Sequence, residues 1–462
     1  MFTKKNISDI LAPDRPASEI IADLKEKDIM VPPWDVLEKD YYSIFHPVMN
    51  KEIYQDIVKK DGTIEKVTRI TLGLQKLATK RMTELVFGIP VKRVYKSETE
   101  NHKKIIKVIE SIFQRNRIDS VNIMRGRMLF AGCEAATLWY AVEQRNNIYG
   151  IDSPIKLRCR NFSPMKGDKI YPLFDQYDDM IALSIGYTRK EGTKNIEYFD
   201  TYTSDRHIKW ANDGSGWVQV EDDNISIGKI PGVYVYRPEP IWEDTSRNVY
   251  EIESALSRNG NYLRRNSKPI FAVFTDDSVK FGGEKDNESK SVFQYAANAN
   301  AKYITWDQAI DNLKFFTNEL KQMFFTQLQL PDMSYENMKT MPMSGEARKM
   351  MFIDAQLKVE DESGPLLEML DREVNVVKAF VKAILPVSMH TDIDTLQVET
   401  QITPFSITDD KDTINNIMTA TGGRAIMSQK EGIEQLGWSE DAEKTLKEIQ
   451  QESMNDVYNL NQ

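Results

Sequence analysis

The sequence predicts an α+β fold that is mainly helical. Two observations support this class. Apolar residues recur at helical spacing along most of the first 145 residues and again along most of the chain after residue 243. Between these parts, residues 150–240 contain short β-rich runs separated by turn-forming residues. The order helices, strands, helices indicates that the sheet and the helices occupy separate regions of the chain.

The first part of the chain is predicted to be mostly helical. Residues 67–88 carry apolar side chains at helical spacing, and Gly88 followed by Pro90 ends that helix. A second helix is predicted over residues 102–113. A third begins near Ile118 and is expected to continue through LFAGCEAATLWYAVE, whose small residues allow close packing against a neighbouring element.

The β-rich part consists of six runs of strand length, IKLRCRNF, IYPLFDQY, IALSIGYTR, IEYFDTYT, HIKWAND and GWVQVED. Turns rich in Gly, Asn, Asp and Pro separate them. This spacing predicts a twisted antiparallel sheet.

Two amphipathic helices are predicted next, over residues 244–266 and 307–328. Their apolar stripes are Val249, Ile252, Leu256 and Leu263 in the first, and Ile310, Leu313, Phe316, Leu320, Met323 and Phe324 in the second. A helix of about 22 residues spans roughly 33 Å. Two such rods with exposed stripes would be unstable alone, so packing against further copies is expected, the alternative being a hairpin folded onto its own domain. Residues 267–306 form a small irregular-to-β unit with the runs PIFAVF and AKYITW.

The last part of the chain begins with a segment of poor helix signals, residues 329–344, in which Pro331 and Pro342 discourage helix continuation. A long helix is predicted from about residue 345 to 385. Because proline inside a helix removes a hydrogen bond and clashes with the preceding turn, a kink is expected at Gly364 and Pro365. A strand-like run, LQVETQITPFSI, and helices over residues 410–420 and 428–453 complete the chain.

Composition excludes several classes of function. The formal charge is −10, from 70 acidic and 60 basic residues, which argues against a basic surface that grips nucleic acid. The negative charge does not argue against a channel through which DNA slides, because an acidic channel wall binds the phosphate groups of DNA only weakly. No apolar run approaches the roughly 20 residues of a membrane-spanning helix, and the start of the chain lacks the apolar region of a secretory signal. Two cysteines in a chain of this size indicate synthesis in a reducing cytosol.

Signatures of catalysis are missing from the sequence. It contains no GxxxxGK[ST] phosphate loop, no GxGxxG turn and no GxSxG elbow, and its four histidines are scattered. His207, in the strand-like run SDRHIKW, is expected to be a surface or hydrogen-bonded histidine. The acidic residues in FDQYDDM are better interpreted as a solvated turn than as a nuclease cluster. We therefore expect no enzymatic activity and no cofactor or metal.

Several stretches of the sequence resemble the portal proteins (head–tail connectors) of tailed bacteriophages. They are TRITLGLQKLATKRMTELVFGIPV, RNFSPMKGDKIYPLFDQYDDMIALSIGYTR, IEYFDTYTSDRHIKW, LQLPDMSYENM with SGEARKMMF, and ITPFSITDDKDTINNIMTATGG with MSQKEGIEQLGWSEDAEKTLKEIQQE. The resemblance covers about residues 65–453. It rests on the joint order of these segments, since none is a catalytic signature.

The resemblance implies a portal-like subunit with wing, stem, clip and small crown regions that assembles into a ring. The implied boundaries are a wing over 61–243 (a helical part, then the antiparallel sheet), stem helices 244–266 and 307–328, a clip over 267–306, a tunnel loop over 329–344, a long kinked helix and wing strand over 345–409, and crown-like helices over 410–462. Residues 1–60 match no part of the family pattern, and their role is left open.

The resemblance also implies partners and a location. These are a ring of about twelve identical subunits, double-stranded DNA passing through its channel, the terminase large subunit, the major capsid protein and a head-completion or adaptor protein. The implied place is the portal vertex of the virion capsid, after synthesis in the host cytoplasm and without a membrane. The alternative interpretation is another phage protein, a head–tail adaptor or a minor capsid protein.

Three groups of site residues follow from this interpretation. The tunnel loop is expected to contact DNA through Asp332, Met333, Ser334, Tyr335, Glu336, Asn337, Met338 and Lys339. Candidates for the channel-facing side of the stem are Asp311, Lys314, Asn318 and Lys321. The helix kink is assigned to Gly364 and Pro365.

Overall fold

The computed structural model describes residues 6–27, 29–266, 270–274, 300–304, 310–332, 350, 352–405, 410–422, 425–439 and 441–459. Most of the predicted tunnel loop, residues 333–344, lies outside these residues, as does the greater part of the predicted clip.

The N-terminal part is a set of short elements. It contains helices α1 (Ile7–Ile10), α2 (Ala17–Leu24) and α3 (Trp34–Tyr41), two single 3-10 turns, and a small hairpin of β1 (Ile57–Val58) and β2 (Ile64–Glu65). Apolar residues of α1 and α2 pack on one face of the large sheet described below, against Phe199, Ile208 and Trp210. This part of the chain is therefore attached to the large sheet.

The helical part that follows consists of α4 (Leu74–Phe87), the strand β3 (Lys92–Lys96), α5 (Glu100–Arg115) and α6 (Ile118–Gly132). The prediction that the third helix continues through LFAGCEAATLWYAVE is wrong. Cys133 adopts a left-handed conformation with φ 60°, which ends α6, and residues 134–146 form a strand. Long-range pairing with two other strands outweighs the helix propensity of the alanines.

The strands are β4 (Glu134–Asn146), β5 (Ser153–Phe162), β6 (Lys169–Phe174), β7 (Met180–Glu191), β8 (Lys194–Tyr202), β9 (Arg206–Asn212), β10 (Trp217–Asn224) and β11 (Gly232–Tyr236). They form two antiparallel sheets, with orders β10-β9-β8-β7-β6 and β11-β4-β5. The prediction of antiparallel strands is confirmed, but β5 belongs to the smaller sheet. Ala136, Leu138 and Phe162 of that sheet pack with Leu183 and Ile185 of the larger one.

Two long helices and a pair of short strands come next. Helix α7 (Ser246–Asn266) begins after a 3-10 turn, and α8 (Ile310–Gln327) packs against it. Between them β12 (Ile270–Phe274) pairs with β13 (Asn300–Ile304) in antiparallel register. The two predicted helices are thus observed within a few residues of their expected ends.

The longest helix, α9 (Ile353–Ile384), runs through the main core. Its buried apolar residues recur every three or four positions: Leu366, Met369, Leu370, Val374, Val377, Val381 and Ile384. After a short helix α10 (His390–Thr395), strand β14 (Gln397–Gln401) pairs with β3. The predicted strand-like run near residue 400 therefore closes back onto the helical part.

The chain ends in α11 (Asp410–Thr421), α12 (Gln429–Leu436) and α13 (Ala442–Asn459). The single helix predicted over residues 428–453 is two helices. Ser428 and Glu431 form a capping box at the start of α12, and Gly437, with φ 70°, ends it.

Candidate stem surface and the attachment of the long helix

The apolar stripe of α7 becomes more exposed along the helix. Val249 and Ile252, near its start, are 0% and 4% exposed, Leu256 is half-buried, and Leu263 is 52% exposed. The described residues of the subunit therefore cover only the first half of the stripe, and apolar surface remains exposed near Leu263.

Helix α8 shows the same gradient in the opposite chain direction. Phe324 and Phe325, near its end, are buried, whereas Phe315 and Phe316 are 68% and 44% exposed. Leu313 and Leu320 are half-buried, while Met323 is exposed. Of the residues predicted to point inward, Phe324 alone among those described is fully covered within one subunit. The described parts of the two helices thus leave apolar surface near residues 263 and 315.

The four residues proposed to face a channel lie on this same helix. Asp311, Lys314 and Asn318 are exposed, and Lys321 is half-buried. Lys321 makes an ion pair with Asp332, whose Oδ2 lies 3.3 Å from the lysine Nζ. The structure therefore joins one stem candidate to the first residue of the predicted tunnel-loop set, and the other seven loop residues lie outside the described part.

Helix α9 passes through Pro365 without interruption. Pro365 has no N–H to donate to the carbonyl of Asp361, one turn earlier. A Cβ placed on Gly364 would meet no atom within 4 Å, and a cleft of about 550 Å³ is lined by Pro365, Met369 and residues of β11. There is space beside the proline for the helix to bend, and the kink itself stays a prediction.

Beyond Pro365, α9 is fixed to α6 by a buried ion pair. Arg125 donates two hydrogen bonds to the carboxylate of Glu373, one of them 3.0 Å long, and both side chains are 1% exposed. The indole N–H of Trp139 donates to the same carboxylate over 2.9 Å. Sequence reasoning missed this group, since its members lie in three elements and share no motif.

Before Pro365, a second ion pair holds α9. Arg237 donates to Glu362 over 2.8 Å, and Lys358 lies 3.2 Å from the same carboxylate. The guanidinium lies 5.6 Å from the ring of Phe130, while its Nε and Nη1 atoms are buried without a hydrogen-bond partner. The ion pair at Glu362 is therefore more exposed than the one at Glu373, and its arginine is less fully hydrogen-bonded.

Of the histidine and acidic residues considered in the sequence, His207 departs from the expectation of a surface or hydrogen-bonded side chain, because its Nε2 is buried without a hydrogen-bond partner. His207 is half-buried and stacks on Tyr202 with centroids 4.3 Å apart, and its Nε2 makes no hydrogen bond. Its ligand atom lies within 4.8 Å of those of Glu221 and Asp223, but Lys209 is already paired with Glu221 at 2.9 Å. In FDQYDDM, the carboxylate of Asp175 accepts backbone N–H groups of the turn between β6 and β7, as expected of a solvated turn.

Within the described residues, no helix combines the length and the apolar character needed to cross a membrane.

A search of curated proteins finds no match. Two solved structures show low similarity, each at 10% identity. One, from the neck of an empty GTA particle computed with C6 symmetry, has a TM-score of 0.40 and covers 79% of this chain and 90% of its own. The other, from the virion of a native gene transfer agent particle, has a TM-score of 0.39 and covers 91% and 98%. Scores of this size carry no argument about function.

The family comparison is decisive because it extends over nearly the whole chain. The model of a family described as phage portal protein, SPP1 Gp6-like, matches residues 32–457. That range includes the helical part, both sheets, α7 to α9 and the C-terminal helices. The chain belongs to the SPP1 Gp6-like family of phage portal proteins, which is a structural family.

Proposed function

We propose that this protein assembles into a ring of identical subunits that forms the channel for double-stranded DNA at one vertex of a tailed-phage capsid. The ring serves genome packaging and ejection, and it docks the terminase large subunit, the major capsid protein and head-completion proteins. A ring of about twelve copies is the expected form. The chemistry of packaging belongs to the terminase, and this chain acts as a structural part.

The observation that carries the proposal, beside family membership, is the exposure gradient on α7 and α8. The apolar surface near Leu263 and Phe315 is left exposed by the part of the subunit that the structure describes. Head-to-tail contacts between identical subunits cover such a surface on every copy, and they close into a ring when the rotation divides the circle. The test is therefore one of assembly.

Substituting Phe315 by Asp should prevent ring formation while leaving the subunit folded. Because Phe315 is 68% exposed, the carboxylate is solvated in the isolated subunit and becomes buried only when another copy covers it. Val387→Asp is the matched control, since Val387 is 79% exposed but lies far along the chain, after α9. Light scattering after size exclusion and end-on negative-stain images measure the outcome. Rings from Phe315→Asp as abundant as those from the control would contradict the proposal.

The predicted tunnel loop and channel face belong to the same proposal. Asp311, Lys314 and Asn318 are exposed on α8, and the Lys321–Asp332 ion pair holds the chain where it leaves that helix. Because Lys339 is the one basic residue of the loop, against the acidic residues Asp332 and Glu336, the loop is expected to contact DNA by shape more than by ion pairing. Deleting residues 335–339 should leave rings intact and shorten the packaged DNA. Full-length packaging by the deletion variant would exclude this role.

A further inference from the structure

An irregular segment, residues 66–72, lies along α7 and is bound to it by a ladder of hydrogen bonds. We call this segment the strap. The backbone N–H of Thr68 donates to Oδ1 of Asn261, that of Ile70 donates to Oγ of Ser257 over 2.9 Å, and that of Leu72 donates to Oε1 of Glu253 over 2.6 Å. The strap therefore runs in the direction opposite to the helix.

The residue spacings of α7 and of the strap explain why several hydrogen bonds form between them in succession. The acceptors on α7 are four residues apart, which is about 6.0 Å along a helix axis. The donors in the strap are two residues apart, which is about 6.6 Å in an extended chain. The two repeats differ by only about a tenth, so three consecutive rungs form without distortion.

Glu253 differs from the other two acceptors because it is charged and fully buried. Its Oε1 lies 2.7 Å from Nδ1 of His46, and Nε2 of that histidine lies 2.8 Å from the carbonyl oxygen of Asp40. The carboxylate of Asp40 in turn accepts hydrogen bonds from Ser246, over 2.8 Å, and from Tyr250. Residues 40–46 thus hold about the first two turns of α7 at one position.

The strap approaches α7 so closely at Gly260 that a larger residue would not fit there without a shift. A Cβ at this position would lie 2.8 Å from Cγ2 of Thr68, nearer than such atoms come in proteins. Glycine inside a helix is less stable than alanine by roughly 0.5–1 kcal/mol. Close contact with the strap is a physical reason for its presence here.

We infer that the strap and the His46–Glu253 pair together fix the position of α7 along its own axis relative to the predicted wing, residues 61–243. Ser257 and Asn261 accept from any backbone N–H that reaches them, so these two rungs tolerate a shift of one helical turn. Glu253 does not, because a shift leaves its charge and that of His46 buried without each other. The His46–Glu253 pair therefore determines the register of α7 against the strap, and the hydrogen bonds to Ser257 and Asn261 stabilise that register.

The first experiment removes two rungs. In Ser257→Ala/Asn261→Ala the helix is retained, since alanine has the highest helix propensity. The control Glu251→Ala/Arg258→Ala makes two truncations on the exposed side of the same helix. Hydrogen exchange of peptides covering residues 66–72, followed by mass spectrometry, should be at least about tenfold faster in the first variant and unchanged in the control. Equal protection in the wild type and both variants would refute the inference.

The second experiment uses the contact at Gly260 and leaves the ladder side chains in place. Gly260→Ala should displace Thr68 and accelerate exchange of the strap, because the new Cβ overlaps the threonine Cγ2. Adding Thr68→Ser removes that methyl group and should restore slow exchange. Fast exchange that persists in the double variant, or that never appears in the single one, would also count against the inference. Both experiments examine contacts within one subunit, so their outcome is separate from whether rings form.

Discussion

The two halves of α9 are attached to the rest of the subunit in different ways. After Pro365, Glu373 is almost completely buried and accepts hydrogen bonds from both Arg125 and Trp139. Before Pro365, Glu362 is 17% exposed and pairs with Arg237, two of whose nitrogen atoms lack partners. Both halves reach the core, since Ala355 and Val359 of the first half are buried in it as well. The difference is that the ion pair after the proline is fully buried, whereas the one before it is partly exposed. If the helix bends at Pro365, we therefore expect the first half to be the one that moves.

The largest effect is expected from Glu373→Ala. The change leaves the guanidinium of Arg125 buried without its charge partner and the Trp139 N–H without an acceptor, which costs about 3–5 kcal/mol of unfolding free energy. Urea unfolding measures it. Glu368→Ala on the same helix is the control, because Glu368 is 62% exposed and its pair with Arg372 contributes about 0–1 kcal/mol. Similar losses in the two variants would show that the burial of the Glu373 carboxylate does not set its contribution to stability.

A gain of stability is expected from Gly364→Ala/Pro365→Ala. Proline and glycine disfavour a helix interior by about 3 and 1 kcal/mol relative to alanine, and a Cβ at Gly364 meets no neighbour. The unfolding free energy should therefore rise by about 1–3 kcal/mol, while DNA packaging falls because a straight rod no longer bends. Normal packaging by this variant would show that the kink has no role.

A smaller effect is expected from Glu362→Ala, a loss of about 1 kcal/mol. The consequence should be local: peptides covering residues 353–364 exchange faster, and those after Pro365 keep their protection. Mass-spectrometric hydrogen exchange, again with Glu368→Ala as the control, measures this. Faster exchange along the entire helix would mean that its halves do not behave separately.

The smallest effect concerns pH and the third buried pair, His46–Glu253. Burial lowers the pKa of His46, but its hydrogen bonds to Glu253 and to the Asp40 carbonyl outweigh burial and raise that pKa above its ordinary value. The stability from this pair is therefore fully present below the unfolded pKa of about 6.5 and is lost as pH rises through the folded pKa. Urea midpoints of wild type should fall over this range, relative to those of His46→Gln. Parallel profiles for the two proteins would show that His46 does not contribute in this way.

Much of the fold was predictable because local signals and tertiary structure agree. The six β-rich runs correspond to β5 to β10, because turn-forming residues separate stretches of strand length. Helices α7 and α8 were predicted from their apolar stripes. The failures have a common cause in long-range pairing. Residues 134–146 look helical in isolation but pair with β5 and β11, and β3 is a strand because β14 lies beside it. No local pattern reveals such partners.

The candidate site was predictable only in part. The exposed stripe residues on α8 follow from periodicity, and family resemblance supplied the functional interpretation. The buried pairs at Glu373 and Glu253 were not foreseen, because a charged residue on a helix is ordinarily solvated and nothing local marks its partner. The strap was missed for the same reason, although Gly260 within the α7 pattern was a signal of close approach.

The packing of α1 and α2 on the large sheet has a consequence for synthesis on the ribosome. Leu24 of α2 is completely buried in a cluster with Trp210, nearly two hundred residues later in the chain. At translation rates of about 5–20 residues per second, roughly 10–40 s pass between the emergence of these partners. During that interval Ile20, Ile21 and Leu24 lack the sheet residues that cover them in the folded subunit, so this segment reaches its place only after the large sheet has been made.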